Sequence, residues 1–117
     1  MIAGSVSPNG VPVVELAIEN RLWNAVIDTG FNGDLELPRS LRGSLNAVYV
    51  GRVKSRLAAN QFVEEDVYLL DFEFDGDMYQ VEATFSDDDE LLIGTRLLQF
   101  HRLQIDFVAG TVRIERV

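Results

Sequence analysis

A carboxylate, a hydroxyl and a glycine follow one another directly behind a short apolar run. Residues 25–27 (Ala-Val-Ile) lead into Asp28, Thr29 and Gly30. A carboxylate beside a buried strand is costly to desolvate unless it is paired or hydrogen-bonded. Thr29 adds a short hydroxyl, and Gly30 allows another backbone to approach closely. The triplet therefore indicates either a functional site at the rim of a core or an Asx-type turn between strands.

Other polar residues are weaker candidates for chemistry. The acidic run 87–90 (Asp-Asp-Asp-Glu) could bind Ca²⁺, but it lacks the ligand spacing of an EF-hand, so a solvated loop is the simpler interpretation. His101 is the single histidine and has no serine motif to pair with, which favours a structural role late in a short helix. Asp106 is expected to point outward from a strand, and Trp23 to lie in the core or an interface.

The elements that must position the triplet are mainly strands. Alternation of apolar and polar residues predicts strands over 14–18, 22–27, 35–37, 47–57, 62–74, 79–85, 103–107 and 112–114. Asp75 and Gly76 predict a two-residue hairpin, since a type I′ turn needs positive φ at both positions. The segment 95–102 is the best helix candidate, with Thr95 as N-cap. Many short strands and one short helix predict an all-β barrel or sandwich.

Composition bounds the remaining classes. A chain of 117 residues with 47% apolar residues suits a single domain over residues 1–117. A net charge of −9 disfavours nucleic-acid and anionic-membrane partners. The absence of cysteine excludes disulfides and thiolate sites. No signal peptide and no apolar stretch of about 18 residues is evident, so a cytoplasmic location without membrane contact is the expectation.

Two segments carry a resemblance to a known family. AVIDTGFNGDLELP (25–38) and, roughly sixty residues later, DELLIGTRLLQFHRLQIDFVAGTVRIE (89–115) resemble the retropepsin-like aspartic proteases, especially their small prokaryotic single-domain members. The resemblance extends from about residue 14 to residue 115. It implies an all-β fold: a closed retropepsin-like acid-protease barrel with one short C-terminal helix and a flap hairpin.

The resemblance also implies roles for individual residues of the motif. Asp28 would be the catalytic carboxylate, and Thr29 would make hydrogen bonds across a subunit interface. Gly30 would let the substrate backbone pass close by, while Ile93 and Gly94 would pack behind the aspartate loop.

Further positions would contact the substrate or cover it. Phe31 and Asn32 would line the substrate site, and the flap tip would comprise Ala58, Ala59, Asn60 and Gln61. Viral members usually have alanine and then an acidic residue after the triplet, whereas Phe31, Asn32 and Gly33 follow here. The predicted flap tip also lacks the glycines of the viral enzymes.

The chemistry implied by the resemblance needs two carboxylates that share one proton, because two such close charges cannot both ionise. One Asp-Thr-Gly per chain supplies only half of this pair. The resemblance therefore implies a C2 homodimeric endopeptidase acting on peptides or proteins, with no metal or organic cofactor. Two alternatives stay open: a catalytically silent dimer of the same fold that binds peptides or acts as a scaffold, and an unrelated β-barrel with a coincidental turn.

Overall fold

The computed structural model describes residues 1–56 and 58–117, and its regular structure is almost entirely strand. The strands, in chain order, are β1 Ile2–Val6, β2 Pro12–Ile18, β3 Arg21–Ile27, β4 Leu35–Pro38, β5 Val48–Arg56, β6 Phe62–Phe74, β7 Asp77–Ser86, β8 Leu91–Ile93, β9 His101–Asp106 and β10 Thr111–Arg116. Short 3-10 turns occupy Arg39–Leu41 and Ala58–Asn60. Leu57, predicted to end an extended segment, lies outside the described residues. Within these ranges, no helix has the length and apolar character that crossing a membrane requires.

The strands form a single sheet in the order β5-β6-β7-β4-β8-β3-β2-β1-β10-β9. Neighbours run antiparallel except for two parallel pairs, β3 with β8 and β4 with β7. In the part of the chain that the structure describes, β5 and β9 stand at the two ends of this order and do not pair with each other. The expectation of a closed barrel is therefore wrong. Strand β5 pairs with β6 alone and leaves apolar side chains such as Val48 and Val53 exposed, so it remains an open edge of the sheet.

The core explains why period two dominates the sequence. Alternate residues of the central strands are buried, and those between them face outward. The fully or nearly fully buried side chains include Val14, Ala25, Leu35, Leu37, Phe74, Val81, Leu91, Ile93 and Ile114. Each such alternation removes an apolar face from water and stabilises the sheet, at about 25 cal/mol per Å². Trp23 is also buried, as expected of a core residue.

The C-terminal helix predicted over 95–102 is not formed. Residues 95–100 make successive turns, in which Leu98 N–H donates to Thr95 C=O and His101 N–H donates to Leu98 C=O, at 3.2 and 2.9 Å. Helix nucleation is costly in so short a segment. Here the N–H groups of Thr95 and Arg96 bond to the aspartate loop, while the leucines of the segment are buried against the core.

The structure confirms one local prediction, the hairpin between β6 and β7, and contains a strand, β1, that the sequence did not predict. Asp75 and Gly76 both have positive φ, 50° and 82°, so the β6–β7 hairpin predicted from this pair is confirmed. Strand β1 was not predicted, because Gly4 and Ser5 interrupt its apolar pattern and it is only half-buried. It nevertheless pairs with both β2 and β10.

Candidate active site

Asp28 lies at the carboxyl end of a buried parallel strand. Strand β3 ends at Ile27, which is paired with Ile93 of β8, and the Asp28 N–H donates to the Ile93 carbonyl at 3.0 Å. The last core contact of the strand therefore fixes the backbone from which the carboxylate projects. Asp28 is half-buried.

The loop that follows folds back on the Asp28 carboxylate. Gly30 N–H donates to Asp28 Oδ1 at 3.0 Å, and Phe31 N–H donates to the Asp28 carbonyl at 3.1 Å. This is the geometry of an Asx turn. The two interpretations of the triplet are thus compatible, because the turn orients the same carboxylate that would do the chemistry. Thr29 is exposed beside it.

A second segment holds the loop from behind. Gly94 follows β8 directly, and its N–H donates to the Asp34 carbonyl at 2.9 Å. A Cβ at Gly94 would overlap the carbonyl oxygen of Gly33 and press on the ring of Phe31. Only glycine allows the two backbones to pack this closely.

The turns after Gly94 continue this attachment. Thr95 N–H donates to the Phe31 carbonyl at 2.9 Å, and its hydroxyl oxygen lies 3.4 Å from the same carbonyl. Arg96 N–H donates to the Gly33 carbonyl at 3.2 Å. The aspartate loop is therefore fastened by backbone hydrogen bonds along most of its length.

Asp34 is a residue of the candidate site that sequence reasoning missed. Its carboxylate is buried, with 6% of the residue exposed, and Oδ2 accepts the Glu82 N–H at 2.9 Å. Arg96 Nε lies 4.0 Å from the same oxygen, and Arg96 Nη1 lies 3.2 Å from a Glu82 carboxylate oxygen. The network joins the loop to β7 and to the turns after β8. The only sequence signal was an acidic residue directly before the alternating pattern of β4.

A cleft of about 650 Å³ opens over the aspartate loop. We call the loop side, which includes Asp28, Gly30, Phe31 and Asn32, the floor of the cleft. The opposite side is formed by the β5–β6 hairpin, and we call it the roof. The residues of the roof that line the cleft belong to the hairpin stem and are Val53, Arg56, Glu65 and Val67.

The predicted flap tip lies at the far end of this hairpin. Ala59, Asn60 and Gln61 are exposed there, beyond the stem residues that line the cleft, and Ala58 begins the 3-10 turn. Ala59 and Asn60 have φ of 60° and 59°, a left-handed conformation that is unfavourable for alanine. The Arg56 guanidinium donates to the Asn60 side-chain oxygen across the tip. This bond links the tip to the stem.

Comparison with solved structures places this arrangement among known folds. A retropepsin-like aspartic protease from Rickettsia conorii superposes with a TM-score of 0.64 at 20% identity, over 95% of this chain and 86% of the other. The simian foamy virus protease superposes with a TM-score of 0.56 at 18% identity, over 75% of this chain and 92% of the other. The chain has a retropepsin-like fold.

The fold also resembles one part of a much larger viral protein. The foamy viral protease-reverse transcriptase, solved with an RNA/DNA hybrid, superposes over 80% of this chain with a TM-score of 0.60 at 18% identity. This chain spans only 13% of that larger protein. No protein-family model and no curated protein sequence matches the chain.

Glu36 is a second residue of the retropepsin-like cleft that the sequence did not single out. It lies on β4 between Leu35 and Leu37, whose side chains are fully buried on the opposite face. Burial raises the pKa of the Glu36 carboxyl above its ordinary value of 4.5, against a hydrogen bond with Ser86 that lowers it. The carboxylates of Glu65, Asp88 and Asp28 raise it further. Glu36 thus faces the same space as Asp28.

The remaining sequence candidates lie elsewhere in the fold. His101 begins β9 instead of ending a helix, and its ring packs edge-on against Phe74 at 5.1 Å, where burial lowers its pKa. Asp106 points outward and accepts the N–H groups of Val108 and Ala109, both at 3.0 Å. Asp87 pairs with Arg39 at 3.1 Å on the surface. The described residues contain no group of three or more metal-ligating side chains placed to hold an ion.

Proposed function

We propose that the protein is an aspartic endopeptidase that acts as a homodimer. The observation that carries the proposal is the position of Asp28, at the end of β3 in a cleft roofed by a hairpin, within a retropepsin-like fold. The solved structure of similar extent, from Rickettsia conorii, is that of an aspartic protease. The single domain over residues 1–117 and the cytoplasmic location belong to this proposal as well.

The chemistry follows from pairing Asp28 with its counterpart in a second copy. At the start, the two carboxyl groups share one proton. The ionised one takes a proton from a bound water, whose oxygen attacks the peptide carbonyl carbon. The protonated one gives its proton to the carbonyl oxygen. The tetrahedral diol then breaks its C–N bond as the amine takes the proton that came from the water. The ionised carboxylate takes a proton from one diol hydroxyl, whose oxygen becomes the carbonyl of the new acid, so the pair again shares one proton.

The proposal needs a second copy next to the floor of the cleft. Thr29 and Gly30 are exposed beside Asp28, where a partner's loop could contact them. The edge strand β9 and the terminal strand β10 offer further surface for association. Light scattering at micromolar concentration should give twice the chain mass of 13.1 kDa. A strict monomer at every concentration, with and without ligand, contradicts the proposed enzyme.

The decisive experiment is a digest of an unbiased peptide library by the wild type and by Asp28→Asn, from about pH 4 to pH 7. The wild type should cleave with a bell-shaped pH profile, since only the singly protonated pair is active. Asp28→Asn should be inactive and still folded, because the change keeps the shape of the side chain. Asp71→Asn, on the exposed face of β6, is the matched control and should retain activity.

Two results would contradict the proposal in different ways. Equal cleavage by wild type and Asp28→Asn removes Asp28 from the mechanism. A dimer that cleaves nothing and still binds peptides supports the catalytically silent alternative.

A further inference from the structure

The cleft over Asp28 has an unbalanced charge. Its lining includes five carboxylates, those of Asp28, Asp34, Glu36, Glu65 and Glu82, and one cationic side chain, that of Arg56. Carboxylates that lie close together repel one another and raise the free energy of the folded protein unless nearby cations offset their charges. The net charge that the cleft presents to a ligand therefore depends on which of these carboxylates already have a cationic partner within the chain.

Two of the five carboxylates are accounted for within the chain. Arg96 lies 4.0 Å from Asp34 and 3.2 Å from Glu82, through different nitrogens. Asp34 additionally accepts a backbone N–H. Arg56, at the outer end of β5, donates to the side chain of Asn60. Among the ion pairs of the described residues, Asp28, Glu36 and Glu65 have no cationic partner.

The two faces of the roof differ in the same way. On its outer face, Arg52 lies 4.0 Å from Glu64 and 3.5 Å from Asp66. Lys54 is paired across the strands with Glu64, so two cations of β5 stand opposite two acidic residues of β6. On its inner face, Glu65 is paired across the strands with Val53. The hairpin thus pairs the acidic residues of its solvent side, whereas Glu65 lines the cleft without an ion-pair partner among the described residues.

Glu36 extends this acidic surface across the floor. It lines both the main cleft and an adjoining one of about 340 Å³, whose other acidic residues are Asp88, Asp89 and Glu90. Leu92 lines both clefts too. An apolar side chain with carboxylates on both sides matches a lysine or arginine side chain, which has an apolar stem and a charged end.

The raised pKa of Glu36 agrees with a cleft that has too few cations near its carboxylates. Burial raises the pKa of Glu36, and Glu65 on β6, Asp88 in the loop after β7 and Asp28 raise it further. Ser86 on β7 lowers it by a hydrogen bond, and β8 contributes the uncharged Leu92. A bound ammonium or guanidinium group would relieve each of these repulsions.

We propose that the cleft selects peptides with a lysine or arginine next to the scissile bond, and that Glu36 on the floor and Glu65 on the roof receive its charge. The inference rests on the proposed peptidase function, for which it names a substrate class. Glu36 and Glu65 are specificity residues in this scheme, and Asp28 remains the catalytic one.

The test compares peptides that differ at one position only, with lysine, norleucine or glutamate placed in turn at each site flanking the cleaved bond. Norleucine keeps the apolar stem of lysine and removes the charge. For the wild type near pH 6, lysine should raise kcat/KM about tenfold over norleucine at one site at least. The double variant Glu36→Gln/Glu65→Gln should reduce this ratio to about one. Glu64→Gln removes the same charge from the outer face of β6 and should leave the ratio unchanged.

A binding assay runs in parallel with fluorescent forms of the same peptides and the Asp28→Asn protein, so that recognition is measured without cleavage. Cleavage with no preference for lysine overturns the inference and leaves the peptidase proposal standing. Binding with no preference for lysine, and no cleavage by the wild type, overturns both. The same preference in the double variant also overturns it. Binding that prefers lysine, with no cleavage by the wild type, supports the inference and contradicts the peptidase. Failure to bind or cleave any peptide overturns both.

Discussion

The floor and the roof of the cleft are built by different forces. The floor is an irregular loop, yet it is held by backbone hydrogen bonds from the Gly94–Arg96 turns and by the buried Asp34. The roof is a hairpin whose strands pair along their length, with one register shift between Tyr49 and Gly51, but its outer portion has few buried side chains. Exposed apolar side chains on the roof include Val48, Tyr49, Val50, Val53 and Phe62.

This difference separates regular secondary structure from rigidity. A segment opens easily when few buried contacts hold it, whether or not its backbone is paired. The floor holds Asp28 on the part of the molecule with the greater number of independent attachments. In the outer part of the roof, residues 62–67 of β6 pair with β5 alone, and the ion pairs there are exposed. Each such ion pair contributes about 1 kcal/mol or less. Under the proposed function, this outer part would have to admit and release a peptide.

The largest effect is expected at the closest backbone contact of the floor. Gly94→Ala places a methyl group against the Gly33 carbonyl, which cannot move without shifting the aspartate loop. The free energy of unfolding should fall by about 3 kcal/mol, measured by urea denaturation. Gly43→Ala is the control, since no described atom lies within 4 Å of its Cβ position and its φ is not positive. Equal stability of the two variants would contradict the tight packing of the floor.

A smaller loss of stability is expected when one carboxylate is removed from the floor or from the roof. Asp34→Ala leaves the Glu82 N–H without its acceptor and Arg96 with one carboxylate fewer, so unfolding should become easier by about 2 kcal/mol. Asp66→Ala on the roof removes an exposed pair with Arg52 and should change stability by less than about 0.5 kcal/mol. Thermal melts of both variants test this. A larger loss for Asp66→Ala would reverse the comparison of floor and roof.

The smallest change in stability is expected from Glu36→Gln, in the cleft between floor and roof. The folded-state pKa of Glu36 is raised, so the folded state binds its proton more tightly than the unfolded state does. The contribution of Glu36 to stability is thus fully present below about pH 4.5 and is lost as pH rises through the folded pKa. Glu36→Gln should therefore be more stable than wild type at pH 7. The two proteins should converge near pH 4 in urea titrations, and a gain that is the same at both pH values would exclude the carboxylate as its cause.

Much of the strand content follows from alternation alone. Val14 to Ile18 and Tyr68 to Phe74 show their buried faces in the sequence, because a half-buried strand needs apolar residues at every second position. Asp75 and Gly76 define their hairpin locally, since their conformational preferences act on two residues only. Strand β1 was not predicted because its own pattern is weak. It forms because it pairs with β2 and β10, which are distant from each other in the chain.

The candidate site was predictable to the extent that it lies in one segment. Asp28, Gly30, Phe31 and Asn32 come from a single motif, and the structure places all of them at the cleft. Asp34 and Glu36 follow in the same stretch of sequence. They were missed because their significance depends on β6, β7 and the Arg96 turn, which are distant in the chain.

The sequence by itself determined the alternating strands, the Asp75-Gly76 hairpin and the delivery of Asp28 to the end of an apolar strand, because periodicity and turn preference act over a few residues. Only the tertiary structure decided that residues 95–100 form turns and no helix, and that the sheet stays open between β5 and β9. It also decided that Glu36 and Glu65 line the same cleft. These outcomes depend on hydrogen bonds, packing and charge between distant segments, whose free energies outweigh the local preference of any one of them.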